Sequence, residues 1–493
     1  MIALQTVINA TGGRCGFAGN PDFTGVNTDT RTITPGELFI ALKGENFDGH
    51  AYAGAAVEKG AAGIVASRPV DVPEGVPVVY VEDTLKAYQD IAHAYRMGFP
   101  DLKVVAITGS NGKTSTKDMV AAVLSSQYRV VKTQANFNNE IGLPRTLLSI
   151  QPDTEIAVVE MGMRGLGQIK AMCAIARPDV AVISNVGSTH VGELGSLDNI
   201  AKAKSEILED LPADGFAVLN GDLPRVRNMK EKLHTGVAWF GMQPEDDVRA
   251  EQVEITAGGS RFLCRTGTGS QWFSIPQIGE HNVMNALSAI AVGMHFGVKL
   301  NDMKTALAEM VLTGSRQELL HFGSYTVIND AYNASPASME AAFATLARLK
   351  ASAEPPCRTI AVVADMLELG DTAVQAHRSV GQMAAGAGTD ILLGYGEETK
   401  AAVAAAGEGG VKAFHFPDRQ AAAEKLAAML EPGDIVLLKG SHSMQVAGII
   451  DLVFKSKLHF RGTTVGMAAM FCKGYGWRSG FPNLRKDWCT VWK

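Results

Sequence analysis

The chain has 493 residues and a formal net charge of −6, and 46% of its residues are hydrophobic while 19% are charged. This length indicates about three domains, and the composition is that of a folded globular protein rather than a disordered one. No run of about 20 apolar residues occurs, which argues against stable membrane insertion. The first residues show no basic segment followed by a long apolar one, so we expect no secretory signal.

The cysteines and the charges narrow the class further. Six cysteines are scattered singly with no Cys-x-x-Cys pair, which favours neither a zinc ribbon nor a disulfide framework and fits a reducing cytoplasm. From Phe454 onward the chain holds eight Lys and Arg residues, one acidic residue and three of the five tryptophans, whereas the preceding residues carry a net charge of −13. We therefore expect no nucleic-acid binding by the main body. We expect the tail, 455–493, to lie outside the fold; a segment that binds a membrane surface or nucleic acid is the alternative.

The predicted elements fall into three successive α/β units. Residues 1–100 predict a small unit with strands at 63–66 and 78–81 and a helix at 84–97. Residues 101–312 alternate strand and helix patterns, as in a parallel sheet with crossover helices. The patterns there are strands at 103–108, 155–160 and 179–186, antiparallel strands within 248–275, and a buried helix at 281–297. Residues 313–454 repeat the alternation, with strands at 325–330, 359–365, 390–393 and 435–439 and helices at 338–350, 372–385, 419–430 and 444–454.

The strongest local signal is Thr108-Gly109-Ser110-Asn111-Gly112-Lys113-Thr114-Ser115, between a buried strand and a helix. Backbone N–H groups at a helix N-terminus bind phosphate oxygens, a lysine at this position reaches the outer phosphates, and the adjacent hydroxyl can ligate Mg²⁺. The spacing is a shortened Gly-x-x-Gly-Lys-Thr, because Ile107 stands where the longer motif has its first glycine. A plain strand-to-helix turn is the alternative, and the flanking elements favour phosphate binding.

Two further strand ends carry polar side chains. Glu160 ends the strand pattern at 155–160, and His190 follows the pattern at 179–186. Ligands of open parallel sheets bind at the carboxyl ends of strands, so Glu160, His190 and Thr114 would share one rim if their strands share one sheet. A carboxylate, an imidazole and a hydroxyl there suit Mg²⁺. Taken alone, either residue is more readily explained as a helix cap or a hydrogen-bonded loop residue, and the neighbouring phosphate loop favours the functional explanation.

Lys204 stands on an apolar helical stripe. Within 196–211 the stripe consists of Ile200, Ile207, Leu208 and Leu211, so Lys204 faces inward. By the same spacing the outward face holds Lys202, Ser205, Glu206 and Glu209. An inward lysine either extends its amine back to solvent or has a lowered pKa and becomes reactive.

Polar loops complete the set of candidates. Asn138 and Asn139 precede a predicted helix, and Asn282 opens the buried helix at 281–297. Their amides could pair with a nucleobase or a peptide, or simply cap helices. Loops at 329–336, 364–370 and 439–443 follow strand ends of the last unit and suggest a second ligand rim.

These motifs, in this order, resemble the Mur ligase family of ATP-dependent amide-forming enzymes of bacterial peptidoglycan synthesis. The matching segments are TGSNGKTS, NFNNEIG, VVEMG, SNVGSTH, EHNVMNA, NDAYNASP, ADMLELG and LLKGS, together with the early TDTR, GELFIAL and FDGH. The resemblance implies three domains: a UDP-substrate-binding domain at 1–100, a central ATP-binding domain at 101–312 and a Rossmann-like domain at 313–454. It also implies a carboxylate activated by ATP as an acyl phosphate and then attacked by an amine.

The resemblance also assigns roles to residues. It implies that the phosphate loop, Asn282, Arg316 and Asp330 bind ATP. It implies that Thr114, Glu160, His190 and a carbamylated Lys204 hold Mg²⁺, and that Lys113, Glu160, His190 and Lys204 are catalytic. For the substrates it implies contacts with Asp29, Thr30, Arg31, Asn138, Asn139, Tyr332, Asn333 and Ser335.

Within the family, the segment 332–336 resembles that of the member that adds D-alanyl-D-alanine to UDP-N-acetylmuramoyl-tripeptide. We expect the protein to act in the cytoplasm as a monomer. The alternatives are another member of the family or a folylpolyglutamate synthase-like ligase, followed by a phosphate-loop switch ATPase. Two positions depart from the family pattern: His442 stands where Arg is usual, which makes a permanent charge titratable, and Ser335 stands where Asn is more usual.

Overall fold

The structure is a computed structural model that describes residues 1–455, except Asn46, Ser188 and Ala257 and the side chain of Lys232. The predicted tail lies outside the described residues, apart from Lys455. Three sheets dominated by parallel strands succeed one another along the chain. No helix in the described part of the chain has the length and apolarity needed to cross a membrane.

The first sheet has four parallel strands in the order β3-β4-β5-β6. A separate antiparallel pair, β1-β2, lies beside it. The strands are β1 Ile2–Ala3, β2 Asp22–Phe23, β3 Val26–Asn27, β4 Leu38–Ile40, β5 Gly63–Ala66 and β6 Val78–Tyr80. The helices are α1 Leu4–Thr11, α2 Ala53–Glu58 and α3 Thr84–Met97. The carboxylate of Asp83 begins α3 by accepting from the N–H groups of Leu85 and Lys86, as N-cap residues do.

The second sheet has nine strands in the order β15-β14-β13-β12-β11-β10-β7-β9-β8. Strands β7 to β13 pair in parallel, and β13, β14 and β15 form an antiparallel extension, as the sequence predicts for 248–275. The strands are β7 Lys103–Thr108, β8 Val130–Lys132, β9 Ile156–Glu160, β10 Val180–Ile183, β11 Phe216–Asn220, β12 Gly236–Gly241, β13 Val248–Thr256, β14 Gly259–Thr266 and β15 Gly269–Ile275. The helices are α4 Lys113–Ser125, α5 Gly142–Leu147, α6 Gln168–Ala176, α7 Val191–Leu194, α8 Leu197–Ser205, α9 Pro224–Arg227, α10 Glu280–His295 and α11 Leu300–Glu309.

Helices cover both faces of this sheet, which is why its central strands are apolar almost throughout. One core packs α4 and α10 against the sheet, and the other packs α5, α6 and α8 against the opposite face. Strand β7 lies between β9 and β10, so the chain leaves β7 where the strand order reverses. Such a switch point is where α/β sheets bind ligands.

The third sheet has six strands in the order β16-β17-β21-β18-β19-β20, with only β16 antiparallel to its neighbour. The strands are β16 Glu318–Phe322, β17 Tyr325–Asn329, β18 Thr359–Ala364, β19 Ile391–Tyr395, β20 Lys412–Phe416 and β21 Ile435–Lys439. The helices are α12 Pro336–Ser352, α13 Ala373–Gly386, α14 Thr399–Glu408 and α15 Arg419–Met429. The α/β class expected from the sequence is confirmed. Short 3₁₀ turns occupy Gly49–Tyr52, Glu206–Leu208, Asn228–Lys232, Gly370–Thr372 and His442–Met444.

Three expected elements differ from the structure. The helix expected at 444–454 is instead a 3₁₀ turn followed by a π-helical segment, Ile450–Lys455, because Gln445 adopts a left-handed conformation with φ 52°. The strand expected at 179–186 ends at Ile183, because the next two residues turn to bond the loop after β7.

The helix expected at 196–211 ends at Ser205 and continues as a 3₁₀ turn. Ser205 and Glu206, expected to face outward, are therefore buried. The carboxylate of Glu206 accepts from the N–H groups of Gly167 and Lys170 at the start of α6, so it caps a neighbouring helix.

Candidate functional site

The loop between β7 and α4 forms the centre of the site. Gly112 is the residue before α4 and has φ 75°, and a Cβ there would lie 2.8 Å from Asn285 Oδ1. The loop is fixed from β10, because the side chain of Asn185 accepts from Asn111 N–H at 2.9 Å and donates to Asn111 O at 2.8 Å. A rigid turn opening a 13-residue helix is a ready anion site.

Lys113 folds back over this loop. Its Nζ donates to the carbonyls of Gly109 at 2.9 Å and Ser110 at 3.3 Å. Burial lowers the pKa of Lys113, and the charge of Glu160 opposes that shift. The ammonium therefore lies at the loop itself, where it can meet a phosphate group.

Glu160, at the end of β9, is brought to the loop as the sequence predicts. This buried carboxylate accepts from Thr114 Oγ1 at 2.6 Å and from Asn138 Nδ2 at 2.8 Å. Thr133 Oγ1 accepts from the Glu160 backbone N–H at 3.0 Å and holds the strand end in place. A hydroxyl and a carboxylate thus converge as oxygen donors, the kind of ligand that Mg²⁺ prefers.

Arg316 reaches the same hydroxyl from the chain that precedes β16. Its Nη2 donates to Thr114 Oγ1 at 2.9 Å, and its Cζ lies 3.8 Å from the centre of the Tyr332 ring. The buried Nε of Arg316 has no hydrogen-bond partner among the described residues. The segment before the third sheet therefore contributes a guanidinium to the cluster at the end of the second sheet.

His190 lies beside this cluster, just before α7. Its Nδ1 is 3.5 Å from Glu368 Oε2 and 3.9 Å from Glu193 Oε2 and has no hydrogen-bond partner among the described residues. Burial, with the nearby charge of Lys113, lowers the pKa of His190, which favours the neutral, metal-binding imidazole. The three donor atoms lie within 4.8 Å of one another and could share a cation. Glu368 was not itself predicted as a site residue, although the loop that contains it, 364–370, was predicted to form part of a ligand rim.

Lys204 is buried in α8, in the inward orientation expected. Burial, and to a smaller extent the charge of Lys113, lowers the pKa of Lys204 well below its ordinary value. Among the described residues, no hydrogen bond and no opposite charge counteracts this shift. The lowered pKa favours the neutral amine, which is a nucleophile and is the form that reacts with CO₂ to give a carbamate.

Asn282 is linked to the loop through Asn285, which lies against Gly112. It is buried in α10, where its Nδ2 donates to Ile278 O at 3.0 Å and its Oδ1 accepts from Asn285 Nδ2 at 3.3 Å. Asn285 in turn accepts from Thr116 Oγ1 of α4 at 3.1 Å. In this arrangement Asn282 takes part in packing of α10 against α4, and its contact with adenine stays a prediction.

The last sheet directs its strand ends at the loop. Lys439 Nζ, buried at the end of β21, donates to Asp330 Oδ2 at 2.6 Å and to Asn333 O at 3.1 Å. The hydroxyl of Ser335 lies 3.1 Å from Asn111 Oδ1 of the loop, and the rings of Tyr332 and His442 are 5.6 Å apart. Lys439 was not itself predicted as a site residue, although it begins the loop 439–443, which was predicted to form part of a ligand rim.

The remaining predicted residues have local contacts. Asp29 holds Arg31 by a two-pronged ion pair at 2.7 to 3.1 Å, and this hydrogen bonding lowers the pKa of Asp29 to about 2. Thr30 O accepts from Lys59 Nζ, and Asn139 Oδ1 caps α5 by accepting from Gly142 N–H at 2.9 Å. Within the loop, Thr108 Oγ1 donates to Met161 O, Ser110 Oγ donates to Gly187 O, and Ser115 is buried.

Comparison with known proteins gives matches along almost the whole described chain. Three family models match: "Mur ligase family, catalytic domain" at 22–106, "Mur ligase middle domain" at 107–293 and "Mur ligase, glutamate ligase domain" at 315–442. The UDP-N-acetylmuramoyl-tripeptide–D-alanyl-D-alanine ligase of Bacillus subtilis is 40% identical over 456 residues, which cover 90% of this chain and 97% of the relative.

Solved structures agree with these matches. A MurF structure from Acinetobacter baumannii superposes with a TM-score of 0.84 at 30% identity, covering 92% of this chain and 99% of that one. A MurF ligase from Thermotoga maritima in complex with ADP superposes with a TM-score of 0.76 at 26% identity, covering 89% and 98%.

Proposed function

The chain belongs to the Mur ligase family, and from this membership we propose that it joins D-alanyl-D-alanine to UDP-N-acetylmuramoyl-tripeptide, using ATP, in peptidoglycan precursor synthesis. Relatives that match the chain over most of its length carry this activity in their names. The ADP complex of a similar ligase supports adenine nucleotide as the ligand of the loop. Cytoplasmic action as a monomer stays a prediction from the sequence.

One observation carries the assignment to a ligase rather than to a simple ATPase. Segments that flank strands of the third sheet touch the phosphate loop and its helix at two points, through Arg316 to Thr114 and through Ser335 to Asn111. A ligase must hold a nucleotide and an incoming amine side by side, and a site shared by two sheets provides that proximity. The proposed division into domains at 1–100, 101–312 and 313–454 is supported by the three sheets, each of which falls inside one range.

The reaction proceeds in two steps. A carboxylate oxygen of the tripeptide attacks the γ-phosphorus of ATP, and the bond to the bridging oxygen breaks, which gives an acyl phosphate and ADP. The neutral amine of D-alanyl-D-alanine then attacks the acyl carbon, loses a proton, and expels phosphate. Lys113 and Arg316 place positive charge where the transferring phosphoryl group develops negative charge. The contact between the two sheets excludes water that would otherwise hydrolyse the acyl phosphate.

The donor set fits Mg²⁺. Thr114 and Glu160 supply oxygens at the loop, and His190 offers a buried ring nitrogen without a partner among the described residues. Lys204, once carbamylated, would add a further carboxylate-like ligand. When bound, Mg²⁺ neutralises phosphate charge in such sites. We assign Thr114, Glu160, His190 and Lys204 to this role.

Substrate contacts follow from position. Asn138 bonds Glu160, and Asn139 holds the same loop, so both are proposed to lie near the tripeptide carboxylate. Tyr332, Asn333 and Ser335 stand at the loop after β17 and are proposed to meet the dipeptide, while Asp330 and Asn282 are assigned to ATP. Three residues of the loop between β3 and β4, Asp29, Thr30 and Arg31, are assigned to the UDP-muramoyl end.

The direct test is phosphate release from ATP by the purified full chain with UDP-N-acetylmuramoyl-tripeptide, with and without D-alanyl-D-alanine. We expect release to require both substrates and mass spectrometry to find the pentapeptide product. Lys113→Met is the inactive comparison, since it removes the charge at the loop. Glu424→Gln, which changes an exposed glutamate of α15, is the matched surface control.

Two outcomes would contradict the assignment. Release with single amino acids but not with the dipeptide would move the chain to another member of the family. Phosphate release that is independent of both substrates would indicate an ATPase.

A further inference from the structure

Three charged side chains that the proposed reaction does not use form a cluster on and beside α4. Asp118 Oδ1 lies 3.2 Å from Lys117 Nζ and 2.6 Å from Lys132 Nζ. The side chains of Lys117 and Asp118 are 0% and 1% exposed. Burial alone would raise the pKa of Asp118, but Lys117, Lys132 and the N–H of Thr313 lower it on balance. Asp118 is therefore a buried anion held in one position.

This anion bonds a residue 195 positions away. Asp118 Oδ2 accepts from Thr313 N–H at 2.8 Å, and Asp118 Oδ1 accepts from Thr313 Oγ1 at 3.0 Å. Thr313 lies between α11, which ends at Glu309, and β16, which begins at Glu318. It therefore belongs to the linker that joins the second sheet to the third. Hydrogen bonds to a charged acceptor are stronger than neutral ones, so the linker is held to α4 at this residue.

Two contacts between α4 and the linker run side by side. Thr114 and Asp118 are four residues apart and lie on one face of α4, about 6 Å apart along its axis. Their partners, Arg316 and Thr313, are three residues apart in the linker. Gly314, which follows Thr313, has φ 81°, and a Cβ there would lie 3.5 Å from the Tyr332 ring. The chain therefore turns directly after Thr313, and Arg316 follows this turn.

We propose that Asp118 is a positioning residue that anchors the linker to the phosphate-loop helix, and that this anchor places Arg316 over Thr114. The anchor itself follows from the contacts of Asp118, whereas the consequence for ligation rests on the proposed function. The reaction needs the guanidinium of Arg316 at the phosphates, and Asp118 fixes the segment from which Arg316 extends. The helix that opens at the phosphate loop thereby also sets how the third sheet is attached.

Thr313→Val is the informative substitution, because it removes one bond to Asp118 and leaves the buried charges paired. Asp118→Asn would leave Lys117 and Lys132 without their counter-charge and could unfold the chain for that reason alone. Thr305→Val is the matched control. Thr305 is exposed on α11, and its one hydroxyl contact with the described residues is within its own helix, to Asn301 O.

The first measurement is amide hydrogen exchange over residues 311–318 of the full chain without substrates. We expect exchange to be faster by about fivefold or more in Thr313→Val and unchanged in Thr305→Val. Unchanged exchange in Thr313→Val would overturn the anchor. Because this measurement needs no turnover, it separates failure of the anchor from failure of the proposed ligase activity.

The second measurement is a double-mutant cycle on kcat/KM for ATP. We expect Thr313→Val to lower this ratio about fivefold to tenfold in the otherwise unchanged chain. In an Arg316→Ala background we expect no further loss, because the anchor acts through Arg316. An equal loss in both backgrounds would show that Thr313 acts independently of Arg316 and would overturn the positioning role.

Discussion

At the scale of single residues, Lys204 combines a cost to folding with a proposed role in the reaction. In the unfolded chain its amine stays protonated up to an ordinary pKa of 10.5, whereas burial and Lys113 favour the neutral amine in the folded chain. The unfolded state therefore binds more protons below that pH, and the stability contributed at this position rises as the pH rises. Such a cost is typical of residues retained for activity.

We therefore expect Lys204→Met to unfold at a higher temperature than the unsubstituted chain near neutral pH, while product formation is lost. The gain should shrink as the pH rises toward 10.5, where the unfolded amine also loses its proton. Thermal unfolding across this pH range, in buffer freed of CO₂, measures the effect. Lys202→Met, on the exposed face of α8, should show no such trend, and a gain that does not vary with pH would contradict the explanation.

The carboxylate of Glu160 permits a prediction about metal use. In Glu160→Gln the amide oxygen can still accept a hydrogen bond from Thr114 or Asn138, but the negative charge is gone. We expect product formation to fall by about 100-fold or more and the Mg²⁺ concentration for half-maximal rate to rise. Titration of the rate with Mg²⁺ measures both. If the variant loses activity but keeps the original Mg²⁺ requirement, Glu160 is not a metal ligand.

At the scale of elements, the turn into α4 depends on a glycine. Gly112 has φ 75°, and an added Cβ would press on Asn285 Oδ1. Gly297, after α10, has φ 76° but open space around it. We expect Gly297→Ala to lower the free energy of unfolding by about 1 kcal/mol through backbone strain alone, and Gly112→Ala to lower it by about 1–3 kcal/mol more.

Chemical denaturation of the two variants gives this comparison, and calorimetric titration with ADP gives the functional one. Only Gly112→Ala should weaken nucleotide binding, because only that change moves the loop. Equal losses of stability in the two variants would show that the contact with Asn285 can relax.

Elements were predictable where periodicity and burial agree. The strand Lys103–Thr108 and the helix Thr84–Met97 have the predicted bounds, since one is apolar on both faces and the other starts at a capping aspartate. The helix over 196–211 was predicted too long. Its end depends on a contact with α6, because Glu206 binds the N–H groups at the start of that helix. The helical periodicity of a segment contains no information about a hydrogen-bond partner that lies almost 40 residues away in the chain.

At the scale of the whole molecule, the sequence predicted that Thr114, Glu160 and His190 lie on one rim, but it did not show which residues of the last unit contact that rim. Thr114, Glu160 and Arg316 were all candidates, and the chain brings them together. Asp118 and Thr313 gave no signal, because an aspartate within a helix is ordinary until the residue opposite is known. The resemblance to a known family predicted the roles of the site residues. The contacts of Asp118 and Thr313 became visible only in the structure.

The contact of Ser335 with the phosphate loop links the third sheet's first helix, α12, to the second sheet, and a substitution can test whether it matters for binding. Ser335 caps α12 and also lies 3.1 Å from Asn111 Oδ1, whereas Ser196 caps α8 through Asn199 N–H. We expect Ser335→Ala and Ser196→Ala each to lower stability by about 1 kcal/mol. Only Ser335→Ala should raise the KM for ATP or for the dipeptide. Equal KM values in both variants would mean that this contact does not contribute to substrate binding.

Each sheet is built from an uninterrupted stretch of chain: the first lies within residues 26–80, the second within 103–275 and the third within 318–439. During synthesis such units fold in turn from the N-terminus, so the phosphate loop and Glu160 can be in place before Arg316 has left the ribosome. A nascent chain at that stage already contains the residues proposed to hold ATP, but not the guanidinium that completes the site. The order of translation thus delays full activity until the third sheet has folded and docked.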